Sequence, residues 1–153
     1  MGELVQAPRA EGRILLVEPR RLAAKAAATR LAESIGEPVG KRVGYSVRNE
    51  QKRSDATIIE AITDGLFLRR LQSQPELPGV GVVIFDEFHE RRRDSDVALA
   101  LLREARRLLR PDLKLLLMSA TLQLETLSAQ FDAADTLTSQ GQAFPVETRH
   151  CPP

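Results

Sequence analysis

The stretch GVGVVIFDEFHER, residues 79–91, decides how this chain is read. An apolar, β-branched run ends on two adjacent carboxylates, Asp86 and Glu87. His89 follows, and then the arginines 91 to 93. The run has the length and composition of a buried strand. Two charges at its end cost desolvation unless a cation or hydrogen bonds offset them. One solution is a hard cation such as Mg²⁺, which one or two carboxylates hold together with waters and phosphate oxygens. In such sites the strand-end Asp holds the ion and a nearby group orients the attacking water, a place open to Glu87. The plainer solution is a surface turn in which Asp86 caps the next helix.

Working outward, RILLV (13–17) and LKLLLMS (113–119) are two more apolar runs of strand length, and ATIIEAI (56–62) and KRVGYSVR (41–48) read as further strands. Between them lie helix-forming segments. Residues 20–36 end at Gly36, a natural C-cap; residues 64–72 offer Leu66, Leu68 and Leu71 to a core; residues 94–110 begin with Asp or Ser caps and end basic. Residues 122–131 read as a short helix, and the tail from Ala133 as a strand or two before a linker. Strands that are continuously apolar and alternate with helices imply an α/β fold. Its sheet is mostly parallel and covered on both faces.

Open parallel sheets bind ligands at the carboxyl ends of their strands. Four strand ends here carry polar, chemically capable residues: EPRRLAA after the first, TDG after ATIIEAI, DEFHER after VGVVIF and SAT after LKLLLM. Arg20 and Arg21 open a helix whose free N–H groups and dipole favour phosphate; Thr63 and Gly65 open the next, with Gly65 allowing close backbone approach. Contacts of this kind fix a nucleic-acid backbone without reading its sequence. Arg21 as a plain helix-surface charge is the competing reading. Arg92 and Arg93 read as a solvated loop.

DEFHER (86–91) resembles motif II of the DEAH-box helicases, in the form with Phe at the third position. EPRRLAA (18–24) resembles motif Ia, TDGLFLRRL (63–71) motif Ib and SAT (119–121) motif III, all in the family's order. VGYSVR (43–48) is similar to the stretch between motifs Ia and Ib, and FPVE (144–147) to the connection leaving the first RecA-like domain. The Phe-containing box and EPRRLAA look most like the HrpB-like branch. The similarity runs over nearly the whole chain.

The resemblance implies a three-layer αβα RecA-like fold of the P-loop NTPase type, incomplete at its N-terminus. Residues 1–140 would be part of the first RecA-like domain and 141–153 the start of a linker to a second one in cis. It implies ATP and Mg²⁺ as cofactors and a single strand of nucleic acid, RNA by family, as a sequence-independent partner. Asp86 would bind Mg²⁺ through water and Glu87 would polarise the hydrolytic water. His89 would connect the nucleotide site to motif III. Ser119, Ala120 and Thr121 would relay nucleotide state, and Pro19, Arg20, Arg21, Thr63, Asp64 and Gly65 would lie along the nucleic-acid path.

A P-loop needs Gly-x-x-x-x-Gly-Lys followed by Ser or Thr between a strand and a helix. None of Lys25, Lys41, Lys52 and Lys114 stands in that pattern. The family carries this loop before motif Ia, where only 12 residues precede RILLV. The expectation is therefore a chain that turns over no ATP by itself. The open alternative is a non-catalytic helicase-like module that binds nucleic acid or a partner; an in-frame P-loop codon run upstream of Met1 would argue against it. A different phosphate-binding α/β protein would need four ordered motifs to coincide.

Bulk properties are compatible with this and narrow the setting. The 153 residues suffice for one sizeable core, and a net charge of +1 with 42% apolar residues is ordinary for a globular domain. The single cysteine, Cys151, allows no disulfide within the chain, which fits a reducing, cytoplasmic compartment. No run approaches the ~20 apolar residues of a membrane span. The N-terminus lacks the apolar stretch of a signal peptide, and Gln6 does not match a myristoylation site.

Overall fold

The computed structural model describes residues 12–120, 131 and 135–139. The chain divides into two compact units, residues 1–121 and 122–153. In the second only Phe131 and residues 135–139 are described, with no helix or strand among them. The expected helix at 122–131 and the tail strands thus lie outside the described residues, save Phe131 and 135–139.

In the first unit, the apolar runs become β1 (Arg13–Glu18), β2 (Val43–Val47), β3 (Glu50–Lys52), β4 (Ile59–Thr63), β5 (Val80–Phe85) and β6 (Lys114–Leu117). Among the described residues the helices are α1 (Arg21–Ser34), α2 (Asp64–Ser73) and α3 (Arg93–Leu108), with a single 3₁₀ turn at Phe88–Glu90. The strands form one sheet in the order β3-β2-β4-β1-β5-β6, parallel throughout except for β3. Strand, helix, next parallel strand is the arrangement that buries both faces of such a sheet.

One face is packed by α1. Ile14, Leu16, Val43, Val47, Ile59, Ala61 and Ile84 meet the α1 side chains Ala24, Ala27, Ala28, Leu31 and Ala32. Alanines at every core-facing position but one let the helix lie close to the sheet. Residues of opposite parity point to the other face. There Phe85 meets Phe67 of α2 edge to face at 5.6 Å, and α2 packs in turn against α3. Each fully buried Leu, Ile or Phe in these layers contributes roughly 1.5–3 kcal/mol.

Local signals act where expected at the end of α1. Gly36 takes φ +68 and its N–H meets the Glu33 carbonyl at 3.0 Å, closing the helix. Two details differ from the sequence reading. The strand expected at 41–48 folds back as a hairpin with β3, through a two-residue turn at Arg48–Asn49 with Asn49 at φ +62. Glu-Gln-Lys carries no apolar pattern, so β3 is held by ladder hydrogen bonds rather than burial. Gly44 makes room for it: a β-carbon there would sit 2.5 Å from the Lys52 carbonyl. α3 begins one residue early, capped by Arg92 with no side-chain bond. Asp94 and Asp96 in its first turn complement the dipole instead.

β6 ends the sheet, and among the described residues β5 is its only ladder partner. Leu116 on β6 is 43% exposed, an unusual fate for a residue in an apolar strand. No helix among the described residues is long and apolar enough to cross a membrane.

Candidate active site and nucleic-acid edge

All five parallel strands end on one edge of the sheet, and the quoted box sits there. The β1–β5 ladder runs on past β5: the Asp86 N–H donates to the Val17 carbonyl at 2.9 Å. Asp86 is half-buried, and its Oδ1 accepts the Glu87 N–H at 2.8 Å, leaving Oδ2 unused by that bond. Glu87 takes φ +50, a left-handed conformation that costs a non-glycine residue free energy and concentrates at functional sites. This bend turns its carboxylate out to solvent. His89 Nε2 lies 3.2 Å from Glu87 Oε2, and its Nδ1 is buried without a partner among the described residues.

Phe88 anchors the turn. Its ring is buried edge to face against Phe85 at 6.0 Å, and its N–H donates to the Met118 carbonyl at 3.0 Å. The Met118 N–H donates back to Phe85 at 2.8 Å, so the segment leading to SAT is laced to the box. Ser119 follows, half-buried, and Ala120 is exposed. Thr121 lies outside the described residues.

The edge beside β1 is basic. Arg20 and Arg21 are both exposed at the start of α1, whose first turn holds no acidic residue. Arg20 Nη2 pairs with Glu90 Oε1 at 3.1 Å, and Arg21 Nη2 stands 4.0 Å from Glu50 Oε2. Glu50 is also bound by Lys25 Nζ and the Tyr45 hydroxyl, which ties α1 to the β2–β3 hairpin. These hydrogen bonds lower the Glu50 carboxyl and raise the Tyr45 hydroxyl from their ordinary values.

Pro19, Thr63 and Asp64 are buried, so in this structure they shape the edge rather than face solvent on it. Asp64 is 4% exposed and its Oδ2 accepts the Arg92 Nε–H at 2.8 Å. Arg92 is therefore no free loop charge, contrary to its sequence reading. Gly65 is half-buried, and its close approach is to α3: a β-carbon there would sit 3.0 Å from Asp94 Oδ2. The groups exposed at this edge are Arg20, Arg21 and the Arg48–Asn49 turn.

Sequence reasoning passed over Glu18. It ends β1 in register with Thr63, and the ladder places it beside Asp86. It is 3% exposed, with no side-chain hydrogen bond or ion pair among the described residues. Burial, and after it the charges of Asp86 and Glu87, push its carboxyl from 4.5 up to about 7, against a pull from Arg30. A carboxylate closing an otherwise apolar strand was visible in EPRRLAA. Its neighbours on the adjoining strands were not, because they depend on register.

The family model for the DEAD/DEAH box helicase matches residues 3–129. The chain is 47% identical over 150 residues to the ATP-dependent RNA helicase HrpB of Escherichia coli (strain K12), covering 98% of this chain and 18% of that protein. Two solved structures, of the E. coli DExH-box NTPase HrpB and the Escherichia coli DEAH/RHA helicase HrpB, are each 48% identical, with TM-scores of 0.87 and 0.88. Each match covers 95% of this chain and 18% of the other. The chain thus spans about a fifth of the length of these relatives. Its RecA-like sheet, its ordered motifs and these likenesses agree: the chain belongs to the DEAD/DEAH box helicase family.

Proposed function

We propose that this chain is part of the first RecA-like domain of an ATP-dependent RNA helicase, with residues 1–140 in that domain and 141–153 leading to a second. The observation that carries this reading is the lacing of DEFHER to three neighbours at one sheet edge: Met118 before SAT, Arg20 in EPRRLAA, and Asp64 in TDG through Arg92. A turn that touches every strand-end motif, and that would face nucleotide, supports a path from nucleotide state to a nucleic-acid grip.

The donor set fits Mg²⁺ held through water. No group of three His, Cys, Asp or Glu among the described residues is close enough to cage a metal directly, whereas Asp86 keeps one carboxylate oxygen beyond its turn bond. Mg²⁺ is commonly held by one or two carboxylates with waters and phosphates. When bound, the ion would neutralise charge on the β- and γ-phosphates. Glu87, turned outward with His89 Nε2 beside its carboxylate, would orient water and take its proton. Arg20 and Arg21 would grip a single strand's phosphates, and Ser119, Ala120 and Thr121 would relay the state of the turn.

The phosphate-binding loop is not among the 153 residues, so this chain alone is expected to turn over no ATP. Turnover by the purified chain that disappears in Glu87→Gln would overturn that. In a polypeptide supplying the loop in cis, Glu87→Gln should lower hydrolysis by about 10²–10⁴ with ATP binding kept. Anisotropy with labelled single-stranded RNA and DNA of several sequences tests the partner. Binding that ignores sequence and weakens in Arg20→Ala and Arg21→Ala supports the reading; no binding to either nucleic acid sinks it.

A further inference from the structure

Of the three links from the box turn, the one to Asp64 is built differently. The Arg20–Glu90 pair is open to solvent, and the Phe88–Met118 bond is a single backbone contact. Asp64, in contrast, is buried at the start of α2. Its Oδ2 accepts Arg92 Nε–H at 2.8 Å and Ser95 Oγ–H at 3.4 Å, and its Oδ1 accepts the Gly65 N–H at 2.7 Å. The missing β-carbon of Gly65 admits Asp94 from the same turn of α3. Residues 64 and 65 on one side and 92, 94 and 95 on the other form a packed joint between two helix starts. A buried carboxylate cannot part from its cation without a large desolvation cost, so the joint is stiff. Only Arg91, held at φ +46 with its guanidinium over the Phe88 ring at 5.6 Å, separates the 3₁₀ turn from Arg92.

We propose that Arg92 is a positioning residue: through Asp64 it fixes the Thr63–Gly65 backbone relative to the DEFHER turn, so that the two move as one piece. Its role toward nucleic acid rests on the function proposed above; the joint itself does not. Direct phosphate binding by Arg92 is the competing role, and Asp94 and Asp96 beside it oppose that.

The test uses the 153-residue chain with Arg92→Ala, Asp64→Asn and both together. Asp64→Asn keeps the volume of the side chain and is read alone if Arg92→Ala does not fold. Amide hydrogen exchange at residues 64–66 should quicken in each variant while the β1 and β5 amides stay protected. Affinity for a labelled oligouridine should fall roughly three- to tenfold in each single variant and no further in the double, since one interaction is lost either way. The dependence of log Kd on log salt should keep its slope. A slope shallower by about 0.7 in Arg92→Ala would mean Arg92 itself neutralises a phosphate, and would overturn the proposal. Unchanged exchange at 64–66 would overturn it too. If the wild-type chain binds no oligonucleotide, the functional reading fails instead, and the exchange measurement still decides the joint.

Discussion

Glu18 and Glu60 are both buried in the same sheet, at 3% and 0% exposure, and the β1–β4 register sets them three rungs apart. Three rungs place their side chains on opposite faces. Glu60 is surrounded by donors. Arg70 forks onto both its oxygens at 2.7 and 3.1 Å, Ser46 Oγ–H bonds at 2.6 Å, and Arg13 and Arg53 stand at 3.5 and 3.6 Å. Burial pushes the Glu60 carboxyl up, but the Arg70 and Ser46 hydrogen bonds and the arginine charges together outweigh it and leave it below its ordinary value. Glu18 has two like charges beside it and, among the described residues, no side-chain hydrogen bond or ion pair, only the weaker pull of the Arg30 charge. The difference separates architecture from readiness for a ligand. Charge within the sheet is fully compensated where it holds strands and helix together. It is left uncompensated at the edge where, under the proposed function, a cation and phosphates would arrive.

If that distinction is right, removing the compensated carboxylate does the most harm. Glu60→Ala would leave Arg70 without its fork and loosen β2, β4 and α2 at once. Breaking a buried pair in this way typically costs about 3–5 kcal/mol. Urea unfolding of the variant should show that loss, and a change below about 1 kcal/mol would erase the contrast with Glu18. Glu60 also contributes stability that is present above a pH of about 4.5 and is lost as pH falls through its lowered folded value.

Glu18 should behave with the opposite sign. Its folded value is raised, so its contribution is fully present below 4.5 and disappears as pH rises through about 7. Across that window the wild type should lose on the order of 3 kcal/mol from this group. Glu18→Gln abolishes the titration. Relative to wild type, the variant should gain stability between pH 5 and pH 8 by up to that amount. A constant difference between the two unfolding curves across that range would show that Glu18 is not held protonated by the fold.

Much of this is legible in the sequence. DEFHER, Gly36 and the continuous apolarity of RILLV, VGVVIF and LKLLLM are local signals, and each element formed where they stand. Glu60, Arg92 and β3 were not legible, for two physical reasons. Glu60 and Arg92 are fixed by partners distant in sequence, Glu60 by Arg13, Ser46 and Arg70 and Arg92 by Asp64, whereas Glu-Gln-Lys pairs with its near neighbours Tyr45, Ser46 and Val47 but carries no apolar pattern to announce a strand. Local composition marks Glu60 only as a polar interruption in an apolar strand and Arg92 only as one arginine of three. Likewise Asp64 could be placed on the ligand edge from TDG alone, but not seen to be buried there.

A smaller effect separates the causes acting on Glu18. Desolvation ranks first and Asp86 second, so Asp86→Asn removes only the lesser part. The stability profile of that variant should keep the sign of the wild-type pH dependence, with its upper midpoint moved down from about 7 without reaching 4.5. A profile as flat as that of Glu18→Gln would make repulsion, not burial, the ruling cause.

The smallest change tests the claim of full compensation at Glu60. Arg53 is the most distant of its partners, at 3.6 Å, and its side chain is 31% exposed. Arg70, Ser46 and Arg13 already satisfy both carboxylate oxygens. Arg53→Ala should therefore cost about 0.5 kcal/mol, in the range of a solvated ion pair. It should be additive with Glu18→Gln, which lies on the other face and shares no partner with it. A loss of several kcal/mol on removing Arg53 would mean that the two oxygens are not saturated by the other three groups. Glu60 would then be nearer to Glu18 in kind than the geometry of its hydrogen bonds implies.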